Sequence, residues 1–308
     1  MDALTHTLVA VTAGAAGNRR WGWRGTLWLA AAANLPELER VTALGSTAAW
    51  VESGYGAGHS LLAVPVLALA SGALLRRLGG WKNAAGIAAL GLATHLALDL
   101  ISGPGVRLLW PLSSQFYGRL LLARYDLPTL LVLLLALLFT PLLNLVNRDI
   151  GARAYRPETP ARLGLAVLAM LLLFRGVVQV ELNNRLSGSS EEYSLAPSPL
   201  HPLSWFLVRD GGPYYTVEEV TPVGFSTPLR LRKAQPNRAF ETAAETRLGR
   251  AFLAVARFPQ YSLENGKKGM LVRIQDLRFF TPTGQGKECS VEIEVTPELE
   301  VVAQRARW

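Results

Sequence analysis

The sequence predicts a mainly α protein: a polytopic helical membrane domain of about five to six apolar segments, followed by a small β-rich α+β domain. Three observations carry that expectation. Half of the 308 residues are apolar and mean hydropathy is positive (+0.23), although the chain is strongly basic, with a formal charge of +8 and a pI near 9.9. The apolar residues crowd into positions 1–182, in runs too long and too pure for ordinary surface helices. Beyond that point the pattern turns to apolar–polar alternation, the mark of half-buried strands.

Six apolar segments are expected in order, over 4–17, 25–36, 60–75, 84–102, 127–147 and 163–181. "LPTLLVLLLALLFTPLLNLV" and "RLGLAVLAMLLLFRGVVQV" approach the ~20 residues that cross a bilayer core. The first two are short, but rich in Ala and Gly, which lets helix backbones approach closely. The basic residues alternate between loops. Arg19, Arg20, Arg24, Arg76, Arg77, Lys82, Arg148, Arg153, Arg156 and Arg162 fall on one side of a six-span arrangement, and Arg40, Arg107, Arg119 and Arg124 on the other. By the positive-inside rule, the N-terminus and the C-terminal domain face away from the cytoplasm. Scattered or flanking cations of this kind fit a lipid bilayer as partner and argue against nucleic acid. The opening "MDALTHTLVA" lacks the basic head of a secretory signal. A single cysteine, Cys289, excludes an intramolecular disulfide framework and a Cys-built zinc site.

The predicted domains are a helical transmembrane domain over 1–182, a polar, Pro-rich linker over 183–200, and a β-rich extracytoplasmic domain over 201–308. In the last, "PYYTVEEV", "LRLRK", "LVRIQDLRFF" and "CSVEIEVT" read as strands, and "RAFETAAETRLGRAFLAVARF" as one helix.

Ionisable residues at the ends of the apolar segments supply the functional reading. His6 opens the first segment, Glu37 and Glu39 follow the second, and His59 opens the third. His95 and Asp99 share one helix face at i,i+4 near the end of the fourth, and Asp126 opens the fifth, where it also makes a good helix N-cap. Alternating topology puts all of these ends on one membrane face. An unpaired ionisable group at membrane depth costs at least ~2.5 kcal/mol, so such groups pair, line water or bind an ion. Three histidines with several carboxylates suit a divalent cation, zinc or manganese. Singly, each residue has a structural explanation; His201, in "SPLHPLSW", is read as structural.

In this order, "MDALTHTLVA", "ANLPELER", "GAGHSLL" and "ATHLALDLISGPGVRLLWPLS" resemble the motifs of the membrane-bound metal-dependent hydrolase family of bacterial inner membranes. The resemblance implies an inner-membrane enzyme that uses a bound divalent metal to hydrolyse an ester or phosphoester, such as that of a lipid head group, at the extracytoplasmic interface. It makes His6, Glu37, Glu39, His59, His95 and Asp99 the implied metal ligands, with Glu39 and Asp99 as catalytic groups. The ligand set is also loosely similar to that of zinc-dependent phospholipase C. The chain departs from the pattern at Glu37 and Glu39, which replace aspartates, and at Gly54, Tyr55 and Gly58, which replace a histidine, an arginine and a threonine. The alternative reading is a catalytically decayed membrane scaffold of the same fold.

Overall fold

A computed structural model describes every residue except 44, 54–55, 75–80, 189, 281–288 and 308. Gly54 and Tyr55, two of the departures above, lie outside the described residues. The chain divides into two compact units.

The first unit comprises Met1–Glu39, Gly56–Val178 and Pro199–Pro202. Helix α1 (Ala3–Ala16) starts at Asp2, whose carboxylate accepts from the Thr5 amide at 2.9 Å and the Thr5 hydroxyl at 2.6 Å. Helix α2 (Asn18–Ala32) is broken at Gly22, whose φ of 61° is open to glycine at little cost. A 3-10 helix (Leu35–Ala43) follows, then α3 (Thr47–Ser53), a second 3-10 turn (Ala57–His59), α4 (Ala63–Leu74) and α5 (Trp81–Leu100). The long helices α6 (Leu127–Asp149) and α7 (Glu158–Leu186) complete the helical part. Helix α5 packs on α4 and on α2, and α1 packs on α2. Small residues make the α2–α5 contact close. Ala32 and Ala88 are buried together with Leu92, and a Cβ on Gly91 would lie 2.8 Å from the Leu29 carbonyl oxygen and 2.9 Å from the Ala33 nitrogen.

Of the six apolar segments read from the sequence, three form helices long and apolar enough to cross a membrane: Asn83–Leu100, Leu127–Asp149 and Glu158–Leu186. The first segment forms the shorter apolar helix Ala3–Ala16. Helices α6 and α7 leave large apolar side chains uncovered, among them Leu135 (68 % exposed), Met170 (69 %) and Leu173 (71 %). A contiguous apolar surface of that kind is unfavourable in water and is what lipid covers.

The second unit comprises Arg40–Tyr55, Gln179–Ser198 and Leu203–Trp308. Two antiparallel sheets build it. In the first, β1 (Glu192–Pro197), β2 (Trp205–Asp210), β3 (Tyr214–Thr221) and β4 (Gly224–Phe225) lie side by side, and β5 (Leu229–Arg232) also pairs with β3. In the second, β6 (Pro259–Asn265), β7 (Met270–Asp276), β8 (Ser290–Val295) and β9 (Val301–Arg307) follow one another. Four of these strands are the ones the alternation predicts; β1 falls inside the stretch read as a linker. The single helix expected from "RAFETAAETRLGRAFLAVARF" is instead two, α8 (Arg238–Glu245) and α9 (Arg247–Leu253). Thr246 is extended between them, and its hydroxyl caps the second helix by accepting from the Gly249 amide at 2.9 Å. Both helices pack on the second sheet around Leu248, Phe252, Ile274 and Ile293. Helix α3 joins this same core through Ala48 and Val51, and Glu52 pairs with Arg247 at 2.7 Å. The excursion Arg40–Tyr55, which separates Glu39 from the Gly56–His59 turn in sequence, therefore belongs to the C-terminal unit.

Candidate metal centre

Four of the residues singled out in the sequence converge in the first unit. Asp99, on the last turn of α5, is the hub. Its Oδ1 lies 3.2 Å from His6 Nε2, and its Oδ2 lies 3.2 Å from His95 Nε2 and 3.5 Å from His59 Nε2. The amine of Met1 also donates to Oδ1. All four side chains are buried, His6 and His95 completely. The His6 and His95 rings stack with centroids 3.9 Å apart, and the His59 ring stands tilted 5.1 Å from that of His95.

Each residue is placed by a local feature of the sequence. The i,i+4 spacing puts His95 directly under Asp99. The small residues at the α2–α5 contact bring His95 Nδ1 within 2.6 Å of the Ala33 carbonyl. A carbonyl only accepts, so Nδ1 carries a proton, and in the neutral ring Nε2 then presents a lone pair toward the centre. The second turn, "GAGH", presents His59. Glu39 does not join the inner group. Its carboxylate accepts from the Ala57 amide at 3.1 Å and the Gly58 amide at 2.8 Å, and its Oε2 lies 4.0 Å from His59 Nδ1. Glu37, half-buried in the first turn of the 3-10 helix, falls with His6 and His95 in a group whose ligand atoms lie within 4.8 Å of one another. A second such group is His59, His95 and Asp99.

Asp126 stands elsewhere. It caps α6 through the Thr129 amide at 3.0 Å and pairs with Arg175 Nη1 at 2.5 Å. His201 is exposed in Pro199–Pro202, outside both groups. Arg175 is the residue the sequence reading passes over. Its signal is a lone arginine inside an apolar run, which a membrane helix keeps only with a partner.

The donor set fits a divalent cation. His95 Nε2 and Asp99 Oδ2 face each other at 3.2 Å; with the ring neutral this sets acceptor against acceptor, a repulsion that a cation between them relieves. The separations of 3.2–3.5 Å match the roughly 3.3 Å between two ligands that each sit about 2.0 Å from a common tetrahedral zinc. His6 Nδ1 is buried with no hydrogen-bond partner among the described residues. An imidazole whose outer nitrogen donates to a backbone carbonyl while its inner nitrogen faces the centre is the usual dress of a metal ligand.

The position of Gly91 one turn before His95 makes a prediction here. Gly91→Ala forces the α2 and α5 backbones apart and lengthens the His95–Ala33 bond. We expect it to cost ~1–3 kcal/mol in thermal unfolding. An unchanged melting temperature would show that the two helices are not held at backbone contact.

No curated protein and no solved structure gives a significant match to the chain. The family model described as YdjM inner membrane protein matches residues 1–182, the part that holds the apolar helices and the His–Asp cluster, and the chain belongs to that family.

Proposed function

We propose that the helical unit is a metal-dependent hydrolase of the inner membrane, with His6, His59, His95 and Asp99 holding a divalent cation, zinc or manganese. The observation that carries this reading is the confrontation of His95 Nε2 with Asp99 Oδ2 in a fully buried site, with the histidine's other nitrogen already committed to Ala33. A bound cation of this kind supplies Lewis acidity and lowers the pKa of water. The chain's own residues do the rest. Ala33 fixes the proton and ring plane of His95 through Nδ1, and the Glu39 carboxylate, 4.0 Å from His59 Nδ1, favours a proton on that outer nitrogen electrostatically. Glu37, half-buried beside His6 and His95, is the carboxylate placed to take the proton of an attacking water. Glu39, already accepting two backbone amides, is better suited to orient than to shuttle protons.

In the same reading the protein is multi-pass. The shorter apolar segments complete the helical domain, and the centre and the C-terminal unit face the extracytoplasmic side, a reading the arginine distribution supports. The substrate is an ester or phosphoester, in a lipid head group or free. A second reading is favoured by one contact, that of the Met1 amine with Asp99. In it the carboxylate is neutralised by the amine and a protonated histidine, and the cluster holds helices together without a metal.

Elemental analysis of the detergent-purified protein separates the two. About one or two equivalents of zinc or manganese, lost in the His95→Ala/Asp99→Ala variant, supports the hydrolase. A folded wild-type protein without metal leaves the scaffold.

A further inference from the structure

The loop after α5 carries a cation that none of these roles uses. Arg107 lies in the loop after α5, at the apex of a three-residue turn closed by the Leu108 amide on the Val106 carbonyl at 2.9 Å. Its position is set firmly. Val106 is buried and exchanges two 2.9 Å backbone hydrogen bonds with Tyr117. On the other side, the Leu108 carbonyl accepts from the Leu61 amide at 2.9 Å, two residues past His59. Arg107 is thus one residue from a backbone contact with the strand of chain that carries His59.

What the guanidinium lacks is an anion. Among the described residues Arg107 forms no ion pair, its Nε is buried without a hydrogen-bond partner, and its one specific contact is the face of Phe116, 5.1 Å from the ring centroid. The ring holds the side chain flat and leaves its edge for a ligand. A second polar atom is orphaned earlier in the same loop. Ser102, three residues past Asp99 and joined to it by a backbone hydrogen bond at 3.4 Å, has a buried hydroxyl with no partner. Buried polar groups in folded proteins are satisfied, so two orphans on a loop tied by backbone hydrogen bonds to Asp99 and to Leu61, two residues past His59, point to something that binds there.

We propose that Arg107, with Ser102, is the anion-binding subsite of this centre. It receives the phosphate oxygens of an anionic phosphoester, which makes phosphoesters rather than neutral carboxylic esters the substrate class. The inference rests on the metal-centre reading for the reaction, but not for the binding. A planar, permanently charged fork suits a phosphate.

The test is equilibrium binding of inorganic phosphate, and separately of short-chain phosphatidylglycerol, to the full-length protein in detergent. Wild type, Arg107→Gln and Arg107→Lys are compared with and without zinc, with zinc content and melting temperature recorded on the same samples. Arg107→Gln should weaken binding by about tenfold or more, with melting temperature and zinc content unchanged, and Arg107→Lys should retain part of it. Dependence on Arg107 for both probes assigns a site for phosphate itself; dependence for phosphatidylglycerol alone assigns a lipid head-group site. Equal binding by wild type and both variants, or no binding of either probe by wild type, overturns the proposal. If Arg107→Gln is unfolded, the comparison with Arg107→Lys decides alone. Absence of zinc with Arg107-dependent phosphate binding would sink only the metal reading, and zinc without it only the subsite.

Discussion

Arg175→Ala is expected to destabilise the helical unit by ~3–5 kcal/mol, enough to prevent recovery of folded protein from membranes. The arginine is fully buried on α7. It ties three pieces of chain together: Nη1 to Asp126 at 2.5 Å and to the Leu121 carbonyl at 3.3 Å, and Nε to the Pro202 carbonyl at 3.3 Å. Asp126 in turn holds the first turn of α6. Removing the cation leaves that carboxylate at zero exposure with no counter-charge, and the cost of the orphan exceeds any worth of the pair itself. Two controls follow from the same physics. Arg175→Lys keeps the charge but loses the fork that reaches two carbonyls and a carboxylate at once, so it should fall between wild type and alanine. Arg175→Met combined with Asp126→Asn removes both charges and should recover much of the loss. The yield of folded protein from membranes, and thermal unfolding in detergent of whatever is recovered, read all three. If Arg175→Ala melted with wild type, the pair would be solvated rather than buried.

How much of this was legible in the sequence depends on how local the cause is. Helices α6 and α7 follow from run length, because only a helix satisfies its backbone within an apolar segment of that size. Strands β3 and β8 follow from alternation. Strand β2, "WFLVRD", is a continuous apolar run without that signature, and β1 lies in a stretch whose polar composition reads as linker. The pairing of His95 with Asp99 is legible because i,i+4 is a local rule. That His6 and His59 reach the same carboxylate is a consequence of tertiary packing, and only the alternation of segment ends hinted at it. The arginines were the blind spot. By sequence alone Arg107 is one more loop charge, while Arg175 is marked only by standing alone in an apolar run, which says that it has a partner but not which one. Nor does any local signal reveal that α3 belongs to the core of the C-terminal unit, because its partners Leu248 and Ile274 lie about two hundred residues downstream.

Glu39→Gln should weaken metal retention by about 10–100-fold while leaving the fold nearly intact. The carboxylate sits in a cradle made by glycines. A Cβ on Gly56 would lie 2.2 Å from its Oε1, and one on Gly58 would lie 2.8 Å from its Oε2 and 3.4 Å from Pro36. The absence of side chains lets the amides of Ala57 and Gly58 close on the two oxygens, which fixes the turn and with it the direction of His59. Glutamine keeps the shape but loses the charge that favours a donor at His59 Nδ1, and one of its ends meets a backbone N–H with an NH2 group. Gly58→Ala acts on the same cradle from the other side. It should push the carboxylate away and lower metal affinity without touching any charge. A ligand role for Glu39 predicts something else: complete loss of metal in Glu39→Gln, and little effect of Gly58→Ala. Titrating zinc into the apo forms of both variants against a chelator of known affinity distinguishes them. Parallel losses in the two would establish that the acid at position 39 works through His59.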